Sequence, residues 1–129
     1  MKTYWDSSGL VESVWESSVQ ARLRRERGVT RSHALAETFA ALTGNPQIRV
    51  DADVATTLIQ QLADSLDFVD LTAAEMLAAL KSARKLGVRG GRVHDLFHAV
   101  AAKKCGAKKI LTLDKNDFTG LTEIALEII

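Results

Sequence analysis

Several things are scarce in this 129-residue chain, and each scarcity closes a door. There is one cysteine, Cys105, so no internal disulfide can form and the protein must hold itself together by packing. No apolar run approaches the roughly 18 residues that span a bilayer, and the first residues lack the apolar core of a secretory signal. The expectation is therefore a cytoplasmic protein with no membrane segment. Aromatic residues make up only 5% of the chain, and they do not form the stacking series typical of single-strand nucleic-acid readers. Net charge is +1, so bulk charge names no partner. No internal repeat, low-complexity tract or linker is present. What remains is 47% hydrophobic residues in a length that suits one domain, residues 1–129, burying roughly two thirds of its unfolded surface.

The pattern alternates between strand and helix. Thr3 to Trp5 reads as a short strand. Gly9 to Glu26 reads as helix, with Val11, Trp15, Val19 and Leu23 as its apolar stripe and Gly28 after its end. That stripe is most simply core, although Trp15 also suits a partner groove. Gly28 to Arg31 reads as a short strand or a connector. Ser32 is placed to cap a helix running through Leu35, Phe39 and Leu42, and Gly44, Asn45 and Pro46 stop it. Asp51 or Asp53 caps the next, with Val54, Leu58, Ile59 and Leu62 inward. Leu66 to Leu71 is a strand candidate. Thr72 and Glu75 form a capping-box pattern before a helix to Leu86. After Gly90 and Gly91 a helix from Asp95 to Lys104 buries Leu96, Val100 and Ala101. Lys109 to Leu113 and Glu123 to Ile129 read as closing strands. Such alternation implies a central, mostly parallel sheet with helices on both faces, a three-layer α/β/α sandwich of Rossmann-like kind.

In such a sheet ligands bind outside the carboxyl ends of the strands. Asp6 ends the first strand and Asp114 ends a late one, while Glu37 and Asp95 lie on helices that enter the same edge; Asp117 is one short turn beyond Asp114. Taken singly, each acid reads as a turn former, a cap or a solvated side chain. Gathered at one edge they would repel, and the cation that best relieves such repulsion is a hard divalent ion with a preference for oxygen.

Four stretches together resemble the PIN domain, and within it the VapC-type toxins of toxin–antitoxin pairs. They are Tyr-Trp-Asp-Ser-Ser-Gly-Leu-Val at 4–11, Ser-His-Ala-Leu-Ala-Glu at 32–37, Arg-Val-His-Asp-Leu-Phe-His-Ala-Val-Ala at 92–101 and Ile-Leu-Thr-Leu-Asp-Lys-Asn-Asp-Phe at 110–118. The resemblance runs from end to end. It assigns the family's acids to Asp6, Glu37, Asp95 and either Asp114 or Asp117, with Asp114 favoured, and the family's hydroxyl to Ser8. Two departures stand out: Trp5 is bulkier than the aliphatic residue usual before the first acid, and His94 and His98 stand where small or apolar residues are usual.

The resemblance implies an endoribonuclease that uses Mg²⁺ or Mn²⁺ and leaves 5′-phosphate and 3′-hydroxyl ends. Asp6, Glu37, Asp95 and Asp114 would be catalytic. Asp6, Asp95, Asp114 and Asp117 are the candidate metal ligands, and Ser8 and Thr112 would hydrogen-bond those carboxylates. It also implies a homodimer and a cognate antitoxin that blocks the acids. RNA phosphates need cations near the acids. One basic group is Arg22, Arg24, Arg25, Arg27 and Arg31. The other is Lys81, Arg84, Lys85, Arg89 and Arg92, which leads into the turn before Asp95. Arg84, Lys85, Arg89 and Arg92 are the preferred phosphate contacts, against the plain reading of a solvated helix face.

Two rivals remain. A PIN-like domain can bind RNA or act as a scaffold without cutting. Separately, His94 and His98 are spaced four apart on a helix, the geometry of zinc hydrolases, though Asp95 is a methylene shorter than the usual glutamate and no clear third ligand follows.

Overall fold

The computed structural model describes residues 2–47 and 49–129. Five short strands form one sheet: β1 (Thr3–Trp5), β2 (Gly28–Thr30), β3 (Leu66–Phe68), β4 (Lys109–Thr112) and β5 (Ala125–Ile128). Their order is β3-β2-β1-β4-β5, and every neighbouring pair is parallel. The helices are α1 (Ser7–Trp15), α2 (Ser17–Glu26), α3 (His33–Gly44), α4 (Ala52–Ala63), α5 (Ala73–Leu80), α6 (Ala83–Leu86) and α7 (Arg92–Lys104), and Lys115–Phe118 is a 3₁₀ turn. The result is the three-layer α/β/α sandwich expected from the alternation.

Strand alternation divides the core in two. Tyr4, Val29 and Ile110 point to one face, where they meet Ala99, Ala101 and Ala102 of α7. The alanines let that helix lie close against the sheet. Trp5 and Leu111 point to the other face, among Leu10, Leu23, Ala34, Leu62 and Leu66. Trp5 is fully buried, and Gly28 on the next strand makes room for it: a Cβ at Gly28 would fall 2.5 Å from Trp5 Cδ1. Gly28 thus closes a helix in the sequence and opens a slot in the fold.

Several expected details differ. The single helix read from Gly9 to Glu26 is two, because Glu16 is extended (φ −103°, ψ 111°). The break interrupts the apolar stripe: Val19 and Leu23 are buried, but Trp15 is 49% exposed. On α3 the buried row is Ala34, Thr38 and Leu42, one residue away from the expected Leu35 and Phe39, and Phe39 is exposed. Ser32 does not cap that helix with its side chain; its N–H and Oγ both donate to Asp70 (2.9 Å each), so a carboxylate from the loop after β3 takes that role. On α4 the buried residues are Ala55 and Leu62, Leu58 and Ile59 are half-buried, and Val54 is 51% exposed. The capping box of Thr72 and Glu75 forms, but the helix it starts ends at Leu80, with a separate turn at Ala83–Leu86. No helix among the described residues is long and apolar enough to cross a membrane.

Candidate active site

From β1 the chain crosses to β2 on one side, and from β4 it crosses to β5 on the other. The carboxyl ends of β1 and β4 are therefore the switch point of the sheet, where the outgoing segments diverge and leave a crevice. Asp6 stands at this fork. It is 4% exposed and caps α1. Its Oδ1 accepts from Ser8 Oγ (2.6 Å) and the Gly9 N–H (2.9 Å), and its Oδ2 accepts from Thr112 Oγ1 (2.6 Å). Ser8 Oγ also accepts from the Leu113 N–H (3.1 Å), so the same hydroxyl ties α1 to the end of β4. Asp6 is thus held by donors from both strands' exits.

Asp95 and Asp117 are held differently. Asp95 lies in the first turn of α7, which begins at Arg92, three residues earlier than the sequence pattern places it. Asp117 lies in the 3₁₀ turn after β4. Among the described residues neither carboxylate accepts a hydrogen bond. Burial, and after it the charge of Asp117 with smaller contributions from Asp6 and Glu37, pushes the Asp95 carboxyl up to about 6, against a pull from His98. Burial and the charges of Asp114 and Asp6 also raise Asp117, and Arg92 opposes them. Asp6, Glu37, Asp95 and Asp117 therefore share one electrostatic neighbourhood. Glu37, from α3, completes it. Burial pushes Glu37 upward, but the hydrogen bond from His98 and the imidazoles of His98, His94 and His33 outweigh that and hold it below the usual carboxylate range.

Among the described residues no group of three or more His, Cys, Asp or Glu side chains is gathered closely enough to hold a metal ion by itself. Mg²⁺ is ordinarily held by one or two carboxylates, with waters and substrate phosphate filling the other positions. The oxygen-only donors Asp6, Asp95 and Asp117 fit such an ion. The zinc reading does not fit. Both ring nitrogens of His98 are engaged, Nδ1 with Tyr4 (2.6 Å) and Nε2 with Glu37 (2.9 Å), while His94 stacks on His33 with ring centroids 5.4 Å apart.

The sequence pattern of the PIN domain matches residues 6–123. The chain belongs to the PIN-domain family. PIN domains are generally nucleases and typically use divalent metal ions. Similar solved structures include PAE2754 from Pyrobaculum aerophilum, with a TM-score of 0.72 and 19% identity over 97% of this chain and 87% of that one. Another is VapBC2 from Rickettsia felis bound to a DNA fragment from their promoter, with a TM-score of 0.72 and 16% identity over 98% of each chain. At these identities the likeness is one of fold. A search of the curated proteins finds no match.

Within this PIN fold the doubled acid after β4 separates into two environments. Asp114, the one favoured from sequence, is exposed, and its Oδ1 accepts from the Asn116 N–H (2.8 Å), so it caps the 3₁₀ turn. Asp117 is half-buried and is the charge that Asp95 feels most. Thr112 is fully buried against Asp6, beside Ser8 (3.3 Å). The basic residues divide as well. Arg84, Lys85 and Arg89 are exposed on the approach to α7. Arg92 lies near Asp117, and its Nη2 donates to the Thr119 carbonyl (2.6 Å). Much of the other basic group is spent internally: Arg22 pairs with Glu26 and Glu127, Arg27 pairs with Asp67, and Arg31 is buried over the ring of Phe97 (5.3 Å). A separate concavity of about 690 Å³, lined by Leu86, Leu96, Val100, Leu121 and Ile124 among others, includes none of the site acids. Sequence reasoning gave Tyr4 no role beyond its strand and weighed His98 as a departure and a zinc ligand, so their link to Glu37 was missed. The signal it had was the unusual histidine three positions after Asp95.

Proposed function

We propose that this PIN domain is a divalent-cation-dependent endoribonuclease and the toxin of a toxin–antitoxin pair. One observation carries the reading: in a PIN fold Asp6, Glu37, Asp95 and Asp117 come from separate elements to the switch point of the sheet, where burial and the charges of Asp117, Asp6 and Glu37 raise the Asp95 carboxyl. Carboxylates gathered in this way favour a site for positive charge. Asp6, Asp95 and Asp117 would hold Mg²⁺ or Mn²⁺. Asp114 is assigned to the turn rather than to the ion. A cation bound there would polarise the scissile phosphoryl group and make its water more acidic.

The chain's own residues do the remainder. Ser8 and Thr112 fix the Asp6 carboxylate in one orientation. Glu37 orients the attacking water. Arg84, Lys85 and Arg89 draw the RNA backbone along the rim, and Arg92 sits beside Asp117 to receive a phosphate. In-line attack by water gives 5′-phosphate and 3′-hydroxyl ends. The likeness to VapBC2 bound to a DNA fragment from their promoter supports an antitoxin partner, and the resemblance to VapC-type toxins implies a homodimer. Trp15, Phe39 and Val54, exposed on helices that pack in the order α1, α3, α4, are the apolar side chains to examine for it.

The test is cleavage of a panel of purified structured RNAs by the wild type and Asp95→Asn, with Mg²⁺, Mn²⁺ or EDTA. Cutting that needs the metal and is lost in the variant supports the nuclease. Folded protein that cuts none of the panel with either metal favours binding without catalysis and overturns the reading.

A further inference from the structure

α7 packs on the sheet through alanines, yet it places an imidazole in the same buried layer. His98 is 1% exposed. A buried imidazole must satisfy two nitrogens. Its Nδ1 lies 2.6 Å from the Tyr4 hydroxyl and its Nε2 lies 2.9 Å from Glu37 Oε1. Tyr4 is fully buried on β1, two residues before Asp6, and burial holds its phenol protonated. For the imidazole carrying one proton, a single arrangement is consistent. Tyr4 donates to Nδ1, and the Nε2–H donates to Glu37; the other tautomer would set a nitrogen lone pair against a carboxylate oxygen. The second oxygen of Glu37, Oε2, is 3.5 Å from Ser7 Oγ in the first turn of α1, beside Asp6. The Glu37 side chain is therefore stretched between α7 and α1, with His98 fixing one end.

An apolar side chain would pack in this layer with no polar atoms to satisfy, and a buried polar network is stabilising only when every member is paired. Here the network ends on a site acid. We propose that Tyr4 and His98 are positioning residues that hold Glu37 at the angle from which it orients the attacking water, a role that rests on the nuclease reading. Neither touches substrate.

Two arms test this and fail separately. In the first, nitrogen-15 NMR of the full chain reads the His98 ring without reference to activity. The Nε2–H tautomer is expected, with the Nε2 shift moving in Glu37→Gln; the Nδ1–H tautomer, or no response to Glu37→Gln, overturns the proposal. In the second, His98→Leu lowers kcat by about 10- to 100-fold with KM changed less than about twofold. His98→Gln, whose amide N–H reaches where Nε2–H does, recovers most of that loss. The double variant His98→Leu with Glu37→Gln is no slower than Glu37→Gln alone, as expected if one residue acts through the other. Tyr4→Phe, which keeps the ring in the core, shows a smaller fall. Equal losses for the leucine and glutamine variants in folded protein, or additive losses in the double variant, overturn the proposal. Should the wild type cut no RNA, the nuclease reading fails by itself, and the tautomer still decides whether His98 holds Glu37.

Discussion

The two halves of the carboxylate cluster are built on opposite principles. Asp6 is buried and satisfied: three donors from α1 and β4 fill both of its oxygens. Asp95 and Asp117 are half-buried and, among the described residues, accept no hydrogen bond, and burial and neighbouring charge push both upward. The first half is a carboxylate built into the fold. The second half is a charge that burial and its neighbours disfavour, and a proton or a cation would relieve it. The same residue type therefore stabilises the apo protein in one place and destabilises it in the other.

That contrast can be broken most forcefully at Asp6. Asp6→Ala removes a proposed metal ligand and orphans two hydroxyls and a helix N–H at once. Activity should fall by about a hundredfold or more, and denaturant melts should show a loss of about 1–3 kcal/mol. Asp95→Asn should lose activity to a similar degree but move stability the other way. In EDTA at neutral pH its unfolding free energy should rise by about 1 kcal/mol once solvent screening of this half-exposed group is allowed for.

A pH series sharpens the same point. The Asp95 carboxyl sits at about 6 in the folded protein against an ordinary 3.8. The folded state thus binds the proton more tightly than the unfolded chain, and stability must fall as pH rises through that interval. Melts of the metal-free wild type and Asp95→Asn should coincide near pH 4 and separate progressively up to about pH 7, with the variant the more stable. The smallest effects distinguish the two acids after β4. Asp117→Ala should reduce activity by about tenfold or more. Asp114→Ala should change it less than about threefold while costing about 0.5 kcal/mol of stability through the lost cap.

What could be read in advance follows the range of the physics involved. Asp6, Glu37 and Asp95 were legible because strand ends and helix starts are local events, and the alternation of elements says which edge they share. Which of the two acids after β4 lies nearer Asp95 was not, because Asp114 and Asp117 differ only in how one 3₁₀ turn points them. The break at Glu16 carries no glycine or proline to announce it, so Val11 to Leu23 read as one stripe and Trp15 as core. On α3 the choice between Leu35 with Phe39 and Ala34 with Thr38 depends on a rotation of one residue; the smaller pair wins because it lets the helix approach its neighbours closely. Trp5 looked like a departure from the pattern, and its compensation, Gly28, is 23 residues away on the neighbouring strand. His98 could be flagged as unusual, but its partners Tyr4 and Glu37 are 94 and 61 residues distant, and no local pattern links them.

Whether Asp95 is a charge that the metal-free fold disfavours and a cation relieves is tested most directly by thermal unfolding of the wild type and Asp95→Asn in EDTA and in saturating Mn²⁺. The variant should melt higher in EDTA, and Mn²⁺ should raise the wild type more than the variant, so that the gap closes or reverses, because a ligand stabilises only the form that binds it. An Asp95→Asn protein that melts lower than the wild type in EDTA, or that gains as much from Mn²⁺, would contradict it.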